Sequence, residues 1–230
     1  MAIGSIKNPY LQQVLFQNLS SSTIQPNQLK DSAQLLNSAM TARNSNATIS
    51  AAGNKINNVS KTIRNGGDMQ AYEGFQTAIQ RASTASDPMQ LTRLVNSASF
   101  AANNDQVALN DSFAGLARSK GRNDTALIDG FNKAFTSTVE KTGIAGLKTF
   151  NQAFSKVENA DYSASAVSQG DNLKQFFSTA TQTINAGNSE KESLSNMQRL
   201  TKGIEISENA DDIYNFFNEF TGPEPKKDFA

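Results

Sequence analysis

Large apolar residues recur through the middle of the chain at a nearly constant spacing. Phe75, Leu94, Phe113, Phe131 and Phe150 follow one another in nearly equal steps of roughly 19 residues, a fixed period of the kind that similar helices packed one against the next produce. Further apolar residues lie three or four positions from each of them, which is the spacing of one face of an α-helix. The pattern therefore predicts a stack of short helices.

A second pattern, of aspartates, keeps the same period. The steps between Asp68, Asp87, Asp105 and Asp124 match those of the apolar residues, and each aspartate precedes a stretch with helical spacing. Aspartate is a favoured residue at the helix N-cap, where its carboxylate accepts a hydrogen bond from a backbone N–H of the first turn. The aspartates thus predict where four of the helices begin.

Helical spacing also extends toward both ends of the chain. Two helices are predicted to begin at Asn8-Pro9 and Gln25-Pro26, and a third carries apolar residues from Ile49 to Ile63 in alternating steps of three and four. Ten or eleven short helices are expected in all. Connections of three to six residues make neighbouring helices antiparallel. The predicted fold class is all-α, either an α-solenoid-like stack or a multi-helix bundle.

The regular spacing is interrupted once, and this divides the chain. The step from Phe150 to Phe176 is longer than any of the earlier ones, and a serine- and alanine-rich stretch lies within it. The expected organisation has five parts: three N-terminal helices over 1–67, the repeat-like stack over 68–160, an irregular connection over 161–171, C-terminal helices continuing the stack over 172–222, and a tail over 223–230.

The composition of the chain limits the catalytic and metal-binding chemistry that its side chains can perform. The 230 residues include no Cys, no His and no Trp, and Lys+Arg and Asp+Glu number 21 each. Catalytic triads and transition-metal sites mostly use His or Cys, so we expect no catalytic residue, no cofactor and no metal. The zero net charge argues against nucleic acid as a partner. Glu73, Glu140 and Glu158 are expected on solvated helix faces, although a spatial pair of carboxylates would still permit a hydrolase.

Two groups of residues are candidates for binding a partner. Tyr214, Phe217 and Phe220 give the last helix a large aromatic surface, which either seals the end of the stack or docks on another protein. The second group is the densest basic cluster of the chain. Its three members are Arg118, Lys120 and Arg122. Bases at the end of a helix also suit the helix dipole, which is the alternative explanation.

These observations favour a non-enzymatic helical scaffold that binds another protein or copies of itself. Ser32–Gly67 contains bases and no acid, whereas Ile204–Pro225 contains acids and no base, so head-to-tail self-assembly is one form of this hypothesis. Its amide- and hydroxyl-rich surface is expected to form many weak hydrogen bonds.

Two other hypotheses about function remain open. The cysteine-free, amide-rich composition resembles that of leaderless exported bacterial proteins, such as secreted effectors or appendage components, and of some phage structural proteins. A carboxylate-based hydrolase is the third possibility. With no signal peptide and no transmembrane run in the sequence, we expect a cytoplasmic protein or one exported by a leaderless route.

Overall fold

A computed structural model describes residues 46–85, 87 and 89–220, with side chains from residue 53 onward. This part of the chain is all-helical and contains no strand, which confirms the predicted fold class. Its eight helices are α1 (Asn46–Asn65), α2 (Met69–Thr84), α3 (Met89–Asn104), α4 (Gln106–Arg118), α5 (Thr125–Glu158), α6 (Gln169–Asn185), α7 (Glu190–Ile206) and α8 (Ala210–Glu219). The helices predicted from Pro9 and Pro26, and the tail over 223–230, lie outside the described residues.

All four predicted aspartates begin a helix. Asp68, Asp105 and Asp124 are N-caps whose carboxylates accept hydrogen bonds from the N–H groups of the first helical turn. Asp87 accepts a 2.9 Å bond from the N–H of Met89 in the same way. Because an unpaired N–H at a helix start needs an acceptor, these side chains fix where the helices begin.

Gly143 divides α5 into two segments. The successive anchors Phe131 and Phe150 predicted two separate helices in this region. The structure shows a continuous α5 whose backbone at Gly143 is non-helical, with φ 59° and ψ −148°. Residues with a side chain rarely adopt this conformation, so glycine permits the break. We refer to residues 125–142 as α5a and residues 144–158 as α5b.

The helices form two layers, as expected of a stack and unlike a bundle around one axis. Most of the packing joins each helix to the next helix or to the next but one, and α2 also packs on α5a, which the Arg81–Asp129 ion pair joins to it. The first layer consists of α1, α3, α5a, α6 and α8, and the second of α2, α4, α5b and α7. Hydrogen bonds join helices within a layer, from Lys55 of α1 to Asn96 of α3 and from Ser112 of α4 to Asn151 of α5b.

A continuous series of phenylalanine rings fills the space between the layers. The five predicted anchors are fully buried, at 0% exposure each. Ring centroids of Phe75 and Phe113 are 5.2 Å apart, those of Phe113 and Phe131 5.6 Å, and those of Phe131 and Phe177 5.7 Å. The recurring anchors of the sequence are therefore the residues that join one helix to the next.

Some of the asparagine side chains form hydrogen bonds between helices and do not lie on the exposed surface. Asn132, Asn151 and Asn172 each donate a hydrogen bond from the side-chain amide to a backbone carbonyl of another helix, at 3.1, 2.7 and 2.8 Å. Asn132 is 2% exposed and Asn172 is fully buried. The expectation that amides lie mainly on the surface was wrong for these residues, because helices at close range leave carbonyl oxygens that a neighbour's amide can reach.

Candidate functional site

A groove of about 630 Å³ lies between α4 and α5b on the second layer. Charged and amide side chains line much of it. Twelve residues form the lining: Asp105, Val107, Ala108, Asp111, Gly115, Arg118, Lys148, Asn151, Gln152, Phe154, Ser155 and Glu158. The groove is therefore the candidate site.

The floor of the groove is fixed by contacts between the two helices. The Ser112 hydroxyl donates to Asn151 Oδ1 at 2.6 Å, and Asn151 Nδ2 donates to the carbonyl of Ala108 at 2.7 Å. Nearby, a Cβ at Gly115 would lie 2.7 Å from the Phe154 ring, so only glycine allows this close packing. These contacts hold α4 and α5b close together at the floor, while the rim carries the longer side chains.

Ion pairs close both ends of the groove. At one end, Arg118 donates two hydrogen bonds to the Glu158 carboxylate, at 2.7 and 2.9 Å. At the other end, Lys148 Nζ lies 2.8 Å from Asp105 Oδ2. Because the first residues of α4 and α5b pair with each other, and so do the last, the two helices run parallel.

These pairs shift the pKa values of Asp105 and Arg118. The hydrogen bond from Lys148 lowers the pKa of Asp105, and the N–H of Ala108 adds to the effect. The hydrogen bond with Glu158 raises the pKa of Arg118. The expectation that Glu158 lies on a solvated face was wrong, since this residue is 7% exposed. Its burial follows from the neighbouring parallel helix, which the local sequence does not reveal.

Asp111 is the acid of the groove that has no partner. Among the described residues, no hydrogen bond or ion pair involves its carboxylate, although its side chain is exposed at the rim. Burial raises the pKa of Asp111, and the negative charges of Asp68 and Asp105 raise it further. Arg118 acts in the opposite direction, but its guanidinium is engaged by Glu158. This carboxylate is free to bind a cationic group.

The predicted basic cluster does not form one patch. Arg118 is paired with Glu158 at the groove. The Lys120 side chain is exposed in the connection between α4 and α5. Arg122 donates to the carbonyl of Ala117 at 2.9 Å and lies 3.7 Å from Glu73. Of the three, Arg118 alone lines the groove, and partner binding by the cluster stays a prediction.

The predicted aromatic group lies at the end of the stack. Phe217 is 6% exposed, and its ring centroid is 6.3 Å from that of Phe176 in α6. Tyr214 and Phe220 are half-buried, and Phe220 packs on Phe216, 5.2 Å away. This packing is what a helix that seals the stack requires. Its binding to a partner stays a prediction.

Sequence reasoning missed most of the groove. Asp105 was identified as a cap, but Asp111, Lys148, Asn151 and Gln152 were not singled out. They come together because α4 and α5b are two positions apart in a two-layer order. The common period offered one usable signal, since helices separated by two of these periods in the sequence lie side by side.

The described residues define a class of protein, an all-α two-layer helical stack with a charged groove. They contain no group of three or more acidic, His or Cys side chains placed to hold a metal ion. In the same part of the chain, no helix has the length and apolar character needed to cross a membrane. No protein-family model matches the chain, and comparisons with curated proteins and with solved structures found no match.

Proposed function

We propose that this protein is a non-enzymatic helical scaffold that binds another protein through the groove between α4 and α5b. The observation that carries the proposal is the groove itself, an opening of about 630 Å³ between two helices held close together in one layer. Helical stacks commonly use such surfaces, because their exposed side chains vary without disturbing the core. An opening of this size accommodates side chains of an extended segment.

The lining of the groove supports recognition more than catalysis. Asp105 and Glu158 are each paired with a base, so two of the three carboxylates in the groove have fixed partners. A carboxylate-based hydrolysis needs one acid that donates a proton and a second that remains ionised, both facing the same bond. The other two carboxylates of the groove lining are engaged by Lys148 and Arg118, so neither is free to act with Asp111. The Ser155 hydroxyl and the Gln152 side-chain oxygen line the groove and offer hydrogen-bonding groups to a polypeptide, while Gln152 Nε2 donates to Glu205 of α7.

The bound segment belongs to a different protein in our proposal, and a second copy of this chain is the alternative partner. Light scattering of the full chain alone tests this alternative without any knowledge of another partner. Self-assembly driven by the opposed charges of the sequence would weaken as salt rises, which light scattering of the full chain would show.

The proposal is tested by a variant in which a bulky side chain fills the groove. We would select peptides from a displayed dodecapeptide library on the full chain, and then measure their affinity for Ser155→Trp, which places an indole in the groove. Ser155 is exposed and lines the groove. The matched control is Lys133→Trp, which adds the same ring to an exposed position on α5a in the other layer.

The expected result is that the selected peptides bind the natural chain and Lys133→Trp equally and lose at least tenfold in affinity for Ser155→Trp. Circular dichroism and melting temperature would show that both variants fold. Selected peptides that bind both variants equally, or a library that yields no binder, would show that the groove is not the binding surface.

A further inference from the structure

We propose that the groove selects a lysine or arginine side chain of the bound segment and holds its charge beside Asp111. This inference rests on the proposed function, because it names the chemistry of the occupant of the same groove. Two observations support it. Capping aspartates pair with lysines at two contacts between helices of the stack, and Asp111 occupies the comparable position at the contact between α2 and α4.

A bridge between a capping aspartate and a lysine recurs in the stack. Helices two positions apart run parallel, so their first turns lie side by side. Asp105 caps α4 and pairs with Lys148 in the first turns of α5b, at 2.8 Å. Asp124 caps α5a and pairs with Lys174 near the start of α6, at 3.2 Å. In both places, a lysine near the start of one helix pairs with the capping aspartate of its neighbour in the same layer, and Lys174 also pairs with Asp171 of its own helix, at 3.0 Å.

At the contact between α2 and α4, the corresponding position holds an acid. Lys174 is six residues beyond the cap of its helix, Ser168, and Asp111 is six residues beyond the cap of α4, Asp105. The neighbouring cap is Asp68 of α2, whose charge acts on Asp111. The charges of Asp68 and Asp111 therefore repel each other at this contact, whereas the α4–α5b and α5a–α6 contacts each pair a carboxylate with an ammonium group. A cation supplied from outside would complete the arrangement.

The surroundings favour a basic side chain over a metal ion or an anion. The described residues offer no group of three ligands for a metal, as noted above. The two bases of the groove, Arg118 and Lys148, are already engaged by Glu158 and Asp105. Lining residues such as Val107 provide apolar contact for the methylene stem of a lysine or arginine, whose charged end would reach the rim.

The experiment compares peptide and protein variants in a double-mutant cycle. Peptides selected on the natural chain are expected to carry Lys or Arg at a fixed position. Changing that residue to Gln, or Asp111 to Asn, is expected to weaken binding about three- to tenfold each. Once Asp111→Asn is present, the peptide change should have little further effect, since the two charges act on each other. Rising salt should also weaken binding less for Asp111→Asn than for the natural chain.

The control is Glu190→Gln, which removes one exposed acid on α7 outside the groove lining and should leave the affinity unchanged. Peptides that Ser155→Trp excludes but that show no basic preference, or that bind Asp111→Asn normally, would overturn this inference and leave the groove as a binding site. Peptides insensitive to Ser155→Trp would overturn the proposed function itself. A basic residue whose loss weakens binding equally with and without Asp111 would show that it pairs elsewhere, which also overturns the inference.

Discussion

Acidic side chains with the same chemistry serve different purposes within one groove. Asp105 caps a helix and pairs with Lys148, Glu158 is buried against Arg118, and Asp111 lies at the rim without a partner. Their surroundings shift the pKa values of the two aspartates in opposite directions. Residue type alone therefore does not set the contribution of an acid to stability.

Replacing each aspartate by asparagine should change stability in opposite directions. The pKa of Asp105 is lowered, so its ionised form stabilises the fold at neutral pH, and this contribution is lost as pH falls through the folded-state pKa. Asp105→Asn should lower the free energy of unfolding at pH 7 by up to about 1 kcal/mol. The pKa of Asp111 is raised, so its ionised form opposes folding at neutral pH.

Asp111→Asn should accordingly raise the free energy of unfolding at pH 7. Its effect should disappear once the pH is low enough to protonate Asp111 in the folded chain, whereas the effect of Asp105→Asn persists to lower pH. Urea unfolding of the three chains across this range is the measurement. A loss of stability in Asp111→Asn at pH 7 would contradict the view that this carboxylate lacks a partner.

Phe131 is the central filler of the stack. Its ring lies between 5.6 and 6.1 Å, centroid to centroid, from four other phenylalanine rings, and the residue is fully buried. Phe131→Ala should lower the free energy of unfolding by about 3–5 kcal/mol, because a cavity replaces those contacts. Denaturant unfolding measures this, with Phe100→Ala as the control. Phe100 is 46% exposed, so its truncation should cost roughly 0.5 kcal/mol or less.

At the scale of elements, contacts between helices two apart determine the groove. The same Arg–Glu chemistry joins α4 to α5b and α3 to α5a, but in different surroundings. Glu158 is 7% exposed, whereas the Arg93 and Glu140 side chains are 45% and 39% exposed. The burial of the pair, and not the pairing itself, decides how much the free energy of unfolding falls when one partner is removed.

A pair of double-mutant cycles would measure this difference. Arg118→Ala leaves a buried carboxylate without its partner and should cost up to about 3 kcal/mol, less than for a fully buried pair because Arg118 is 42% exposed. Arg118→Ala combined with Glu158→Ala should cost less than the sum of the single changes. The cycle on Arg93 and Glu140 should give a coupling of about 0.2–1 kcal/mol. Equal couplings in the two cycles would mean that Glu158 is as solvated as Glu140.

At the scale of the whole molecule, the described helices form a stack, so the stability of this part should vary along its length. Among the described helices, α5 packs on helices of both layers and on both sides, while α8 packs mainly on α6 and α7. A stack of this kind opens from its ends, because an end helix loses fewer contacts. Backbone amides of α8 should exchange with deuterium faster than those of α5. Equal protection in α5 and α8 would indicate that the described part unfolds as a single unit.

Periodicity in the sequence was a good guide to the helices and a poor guide to the groove. The aspartate caps and the phenylalanine anchors are local or recurring features, and they appear in the structure at the predicted positions. Asp111 illustrates the limit. The effect of Asp68 on its pKa, and its place in a groove whose other acids are paired, are not recognisable before the neighbours of α4 are known.

The sequence by itself determined the all-helical class, the starts of the helices at four aspartates and the residues that fill the core, because capping and helical spacing act over a few positions of the chain. The tertiary structure decided the two-layer order, the burial of Glu158 and the isolation of Asp111. These depend on residues that are distant along the chain, whose charges and contacts are set by how one helix lies beside another.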